Sequence, residues 1–204
     1  MIPLALLLLV SIYIFFERLF ATSRVTKADN NFLQNIRTLI HNGRIEEAKQ
    51  LCLTTNTPYA RMIEKGVSRI GRPMNDVLVA IENVGNMEIA KMEKGFNWLA
   101  TTAAGAPMIG FLGTVTGMVQ AFYALASAGQ NSNVSILASG IYEALVTTVA
   151  GLVVGILALF AYNYLTSRVN KIMNRLEGNT MEFMDLLNEP VKANAPSPQQ
   201  QPRR

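Results

Sequence analysis

The sequence predicts an all-α membrane protein with three transmembrane helices, two of them long and running on into a cytoplasmic helical bundle. Three observations carry this reading. Between Lys94 and Arg168 lie 73 residues with one formal charge, Glu143. A separate apolar run opens the chain at Met1–Phe16. All 18 Lys and Arg residues fall either between Arg18 and Lys94, which holds 12 of them, or after Thr166. Half of the chain is hydrophobic and only 16 % is charged, below the usual quarter of a soluble domain.

The net charge of +4 and the pI near 9.3 would by themselves fit nucleic-acid binding. The basic residues, however, are interleaved with acids and sit beside apolar spans, the pattern of a membrane protein's cytoplasmic face, so no nucleic-acid partner is expected. Cys52 is the only cysteine, which rules out a disulfide framework within the chain and fits a reducing compartment.

Residues 1–20 read as the first transmembrane helix. Pro3 stands near its start, where a missing N–H costs nothing. The sixteen residues to Phe16 cover only about 24 Å of a roughly 30 Å core. Leu19 and Phe20 extend the span if Glu17 and Arg18 face protein or snorkel. A signal peptide is disfavoured because the basic residues follow the apolar run instead of preceding it. A natural start further upstream would also account for the shortfall.

Residues 21–97 read as a cytoplasmic helical region. One helix takes Asn31–Ile40 and stops at Asn42-Gly43, a second Ile45–Leu53, and a third Ala60–Ile70 after the break at Thr57-Pro58. Beyond Gly71-Arg72-Pro73 a longer helix starts near Asn75 and is expected to continue unbroken into the membrane through Trp98, a residue favoured at the interface. Arg24 and Lys27 are topology determinants near lipid head groups. His41 reads as a solvated side chain, and Cys52 as a small core residue.

Residues 98–128 form the second span, longer than the ~20 residues that crossing requires. Residues 129–133, with the polar run Gln130–Asn133, form a periplasmic connector, and 134–166 the third span. A helix over 167–189 follows, and the Pro-, Gln- and Ser-containing tail 190–204 reads as disordered. The connector has no Lys or Arg. The positive-inside rule therefore places it outside, both basic segments in the cytoplasm and the N-terminus outside.

Glu143 is the residue the rest of the chain serves to place. An acid in mid-span is costly unless it faces protein or a wet cavity, and such residues mark ion or proton paths. Gly113 and Gly117 in the second span, and Gly151 and Gly155 in the third, each form G-x-x-x-G, which lets helix backbones approach closely. Pro107 frees the carbonyl of Ala103 and is expected to bend its helix. Thr114, Thr116, Thr147 and Thr148 add hydroxyls that either bond back to their own helix or line an aqueous path. On a helical wheel Thr147 lies about 40° from Glu143 and Thr148 about 140° away, which favours Thr147 as its neighbour. No metal-ligand cluster, nucleophile triad or phosphate loop is present, so neither enzyme activity nor a metal or cofactor is expected.

Gly113-Thr114-Val115 after Ala106-Pro107, and Glu143-Ala144-Leu145-Val146-Thr147-Thr148 before Gly151-Leu152, resemble the two signature helices of the ExbB/TolQ/MotA proton-channel family. The likeness takes in Glu46-Glu47-Ala48 after the Asn-Gly turn, the Pro58 break and the helix leading to Trp98. The three-span layout resembles ExbB and TolQ more than the four-span flagellar stator subunit. The resemblance implies a bacterial inner-membrane protein with pore-facing Thr114, Glu143 and Thr148, and the last of these differs from the wheel. It also implies a pentameric ring around an ExbD-like single-span partner with an intramembrane Asp, working through a TonB-like energy transducer on the outer membrane. A ring suits the residues too, because one copy has too few polar groups to build a conduit. A TolQ-like or gliding-type motor and a passive membrane scaffold are the competing readings.

Overall fold

The computed structural model describes residues 2–25, 31–127 and 134–188. The connector Gln130–Asn133 and the tail 190–204 lie outside the described residues. Among the described residues seven helices follow one another: α1 (Ile2–Val25), α2 (Phe32–His41), α3 (Ile45–Thr55), α4 (Pro58–Val67), α5 (Met74–Met92), α6 (Phe96–Ser127) and α7 (Val134–Asn188). There is no strand among the described residues. Three of these helices, α1, α6 and α7, are long and apolar enough to cross a membrane.

The chain forms two units. Among the described residues, the first holds 2–25, 88–127 and 134–173, the second 31–87 and 174–188. In the first, α1 packs on α6. Leu4 of α1, Ala106 of α6 and Val154 of α7 meet in a buried cluster with Leu7, Leu8 and Ala150 around it. At 24 residues α1 reaches about 36 Å, enough to cross, because the helix runs straight on through Glu17 and Arg18. Arg18 faces protein: its guanidinium donates to the Lys91 carbonyl (3.1 Å) and pairs with Glu17 (3.0 Å). The Lys91 carbonyl lies in the last turn of α5, where backbone acceptors lack helical donors and a cation is favoured.

The helix expected to run unbroken from Asn75 through Trp98 is in fact two helices. α5 ends at Met92 and α6 begins at Phe96. Gly95 between them has φ +92, the left-handed region that costs glycine nothing. Phe96 N–H then donates to the Glu93 carbonyl (2.9 Å) at the start of α6. Propensity did not reveal this break, because Glu93 and Lys94 are good helix formers and a lone glycine is tolerated inside a helix.

In the second unit α2, α3 and α4 pack in succession. Ile36, Ile63, Val67, Val77, Ile81 and Phe183 are fully buried there. A side chain on Gly66 would stand 2.6 Å from Phe183 and 2.7 Å from Ile81, so only glycine lets both seat against α4. α4 starts two residues earlier than the pattern indicated. Thr57 caps it through a hydrogen bond from Ala60 N–H (3.1 Å), and Pro58 occupies the first turn, where it is welcome. Cys52 is buried. Desolvation, with the Glu64 carboxylate adding to it, pushes its thiol up to about 12.

Candidate functional site

The site is built on the seam between α6 and α7, which run antiparallel. Gly140 meets Ala121, Ala144 meets Gly117, Thr147 meets Gly113, Gly151 meets Gly110 and Gly155 meets Pro107. Every rung is a small residue or a proline, set three or four positions apart on each helix, and so the two backbones can touch. A Cβ on Gly113 would lie 2.5 Å from Thr147 Oγ1, and one on Gly151 would lie 2.6 Å from the Ala106 carbonyl oxygen. The four glycines singled out from sequence therefore face the chain's own partner helix. Pro107 lies inside the continuous α6, and its ring fills the notch above Gly155.

Three threonines lie at this seam. Thr148 Oγ1 donates across it to the Gly110 carbonyl (3.1 Å), whereas Thr147 Oγ1 bonds back to the Ala144 carbonyl of its own helix (2.7 Å) and stands 3.5 Å from that of Gly110. Thr114 Oγ1 reaches the carbonyls of Ala144 (3.2 Å) and Gly110 (3.4 Å) and is in direct contact with the Thr148 hydroxyl. Each hydroxyl has one proton to give, so Thr114 has more acceptors than it can serve at once. The cluster can rearrange its hydrogen bonds by turning hydroxyls, without moving a helix.

Glu143 stands on a cleft that follows one side of the seam. The cleft has a volume of about 380 Å³ and is lined on α6 by residues from Gly113 to Ala124, and on α7 by residues from Ser139 to Thr147. Thr116, Gln120, Ser139, Glu143 and Thr147 are its polar side chains, and the remaining lining residues are Gly and Ala. Among the described residues no hydrogen bond is made by the Glu143 carboxyl. Glu143 and Thr147 line the same cleft. The structure also joins Thr114 to Thr148; Thr114, Thr147 and Thr148 all reach the Gly110 carbonyl, and Thr114 and Thr147 also reach that of Ala144. Sequence reading missed Ala106, Gly110, Ala121, Gly140 and Ala144 as seam residues and Gln120 and Ser139 as lining. The signal that could have found the first five is the small residue at every third or fourth position, continued beyond the two G-x-x-x-G motifs. Among the described residues no group of three or more His, Cys, Asp or Glu side chains could hold a metal ion.

Residues 54–178, more than half of the chain and including both seam helices through Gly178, match the MotA/TolQ/ExbB proton channel family. The chain belongs to that family. Over 135 residues it is 33 % identical to a biopolymer transport protein ExbB homolog of Methanothermobacter thermautotrophicus, covering 66 % of this chain and 47 % of that one. Over 111 residues it is 40 % identical to the Tol-Pal system protein TolQ of Haemophilus influenzae, covering 54 % and 48 %. Over 106 residues it is 42 % identical to the biopolymer transport protein ExbB of Neisseria gonorrhoeae, covering 50 % and 46 %. The chain spans about half the length of the curated relatives it matches. Relatives named ExbB and TolQ match at similar identity, so membership in the proton channel family does not separate the two.

Removing a hydroxyl from the cluster tests what it contributes. Thr114→Val and Thr148→Val keep the side chain's shape and each remove one neutral hydrogen bond, worth about 1 kcal/mol of stability. The expected result is a small fall in thermal stability together with a clear drop in proton conduction by the reconstituted complex. Unchanged conduction in both variants would assign the pair to packing alone.

Proposed function

We propose that this chain is the proton-channel and motor subunit of an energy-transducing complex in a bacterial inner membrane, most like ExbB. Several copies, five by family resemblance, form a ring around an ExbD-like single-span partner bearing an intramembrane Asp. The proton-motive force drives that partner and, through a TonB-like transducer, powers transport at the outer membrane. The observation that carries this reading is Glu143. It is the only formal charge in the two long apolar helices between Lys94 and Arg168, and it stands exposed on a polar cleft of the single chain. An acid so placed within a membrane needs a wet cavity or a neighbouring chain to cover it. A ring provides both. A TolQ-like role in the cell envelope is the second reading, favoured by the Haemophilus relative.

Proteoliposomes holding the chain with its single-span partner are expected to dissipate an imposed pH gradient. Failure of the intact complex to conduct protons overturns the reading. Topology is checked by thiol labelling from the periplasmic side, where Ser132→Cys should react and Asn42→Cys should not. Cys52 adds little background, since its thiol is buried and held protonated. The reverse labelling pattern removes the three-span arrangement with its N-terminus outside.

A further inference from the structure

α6 presents two grooves of opposite chemistry. One is lined by Pro107, Met108, Phe111, Leu112 and Val115, with no polar side chain, as suits lipid tails. The other is the Glu143 cleft, whose lining among the described residues holds no Val, Leu, Ile or Phe. Its floor is the glycine–alanine seam. Ala124 and Ser139 lie at the end nearer the connector, Gln120 and Glu143 follow, and Thr116 and Thr147 lie at the far end. Glu143 is nine residues into α7, about 14 Å from its first residue. Among the described residues, those lining the cleft on the connector side of Glu143 are Ala, Gly, Ser and Gln. A volume of about 380 Å³ has room for several waters, each taking ~30 Å³ in the liquid.

We propose that this cleft is a water-filled vestibule, one in each copy, which admits a hydrated proton to Glu143 from the connector end of the helices, with Gln120 as a positioning residue beside the carboxyl. The inference rests on the proton-exchange reading of Glu143 and adds the route and the residues that serve it. A carboxamide suits this place because it both donates and accepts. Its NH₂ can meet the carboxylate and its oxygen the neutral acid, so either protonation state is held without another charge in the membrane. Ser139, one turn before Glu143 on α7, offers water a hydroxyl on the way in.

The test uses the full chain assembled with its partner in membrane vesicles. Gln120→Cys and Ser139→Cys are treated with a small cationic methanethiosulfonate reagent, alongside Met108→Cys and Phe111→Cys from the apolar groove. Because the thiolate is the reacting form and apolar surroundings suppress it, the cleft positions are expected to react at least about tenfold faster. The same contrast should persist in a Glu143→Gln background. Equal or slower labelling in the cleft, from lipid or another chain filling it, overturns the vestibule. Gln120→Leu should lower proton flux by up to about tenfold, the upper range for one lost neutral hydrogen bond, and shift the pH at which flux is half-maximal. Gln120→Asn should restore both in part. A Gln120→Leu variant with unaltered flux and pH profile overturns the positioning role. Labelling of the cleft with full conduction in Glu143→Gln would retain the vestibule and remove proton exchange at Glu143. A dry cleft with a non-conducting Glu143→Gln would do the opposite.

Discussion

Glu143→Gln and Glu143→Ala are expected to abolish energised transport while the complex with its single-span partner still purifies intact. The carboxyl is exposed on the single chain and makes no hydrogen bond among the described residues, so losing it leaves no buried group unpaired and should not unfold the helices. What disappears is the only side chain in the long spans that changes charge on taking up a proton and lies on the cleft. Removing a positioned proton-transfer group costs on the order of a hundredfold or more. Glutamine keeps the size and some hydrogen bonding of the original, which makes it the sharper variant. Glu143→Asp retains the acid on a shorter reach and is expected to keep part of the activity. Proton flux into vesicles and growth that depends on energised transport are the two measurements. Full activity in Glu143→Gln would falsify proton exchange and leave a passive scaffold, with Glu143 as a structural acid.

The second large effect is expected at Gly151. Its neighbours across the seam are main-chain atoms: the Ala106 carbonyl oxygen at 2.6 Å and Gly110 Cα at 2.8 Å from where a Cβ would stand. A side chain can turn away from an added methyl, but backbone cannot, so even alanine must push α6 and α7 apart. Forced overpacking of this kind costs about 1–3 kcal/mol for small insertions and more for leucine. Separation would also break the threonine hydrogen bonds across the seam and empty the Leu4–Ala106–Val154 cluster. Gly151→Leu is therefore expected to lose most of its folded yield, and Gly151→Ala to melt earlier than wild type. Gly105→Ala on α6 is the control: nothing lies within 4 Å of its added Cβ, and helix propensity alone should make it neutral or slightly stabilising. Thermal unfolding in detergent and native mass of the assembly separate a misfolded chain from a loosened ring. A Gly151→Leu chain that melts normally but fails to assemble would return the glycines to contacts between copies.

Properties that depend on residues close together along the chain are legible in the sequence alone. The apolar runs of α1, α6 and α7 can be counted, the lone acid at Glu143 stands out, and the turn at Asn42-Gly43 and the break at Pro58 carry their own local chemistry. Family motifs around Thr114 and Glu143 add membership. Gly95 is less legible: its φ of +92 separates α5 from α6, yet a lone glycine is also tolerated inside a helix. The threonines show the same limit. A wheel drawn on α7 alone sets Thr147 on the face of Glu143, yet it cannot show that Thr148 finds its partner in Thr114, 34 positions earlier. By itself the sequence determined that three long apolar helices form, that one acid, Glu143, lies between Lys94 and Arg168, and that small residues recur where backbones could touch. Only the tertiary structure decided that α6 and α7 of one chain touch each other, and that a polar cleft opens along that seam. The physical reason is that helix formation and apolar length are local, whereas the pairing of faces is set by close packing between residues far apart along the chain.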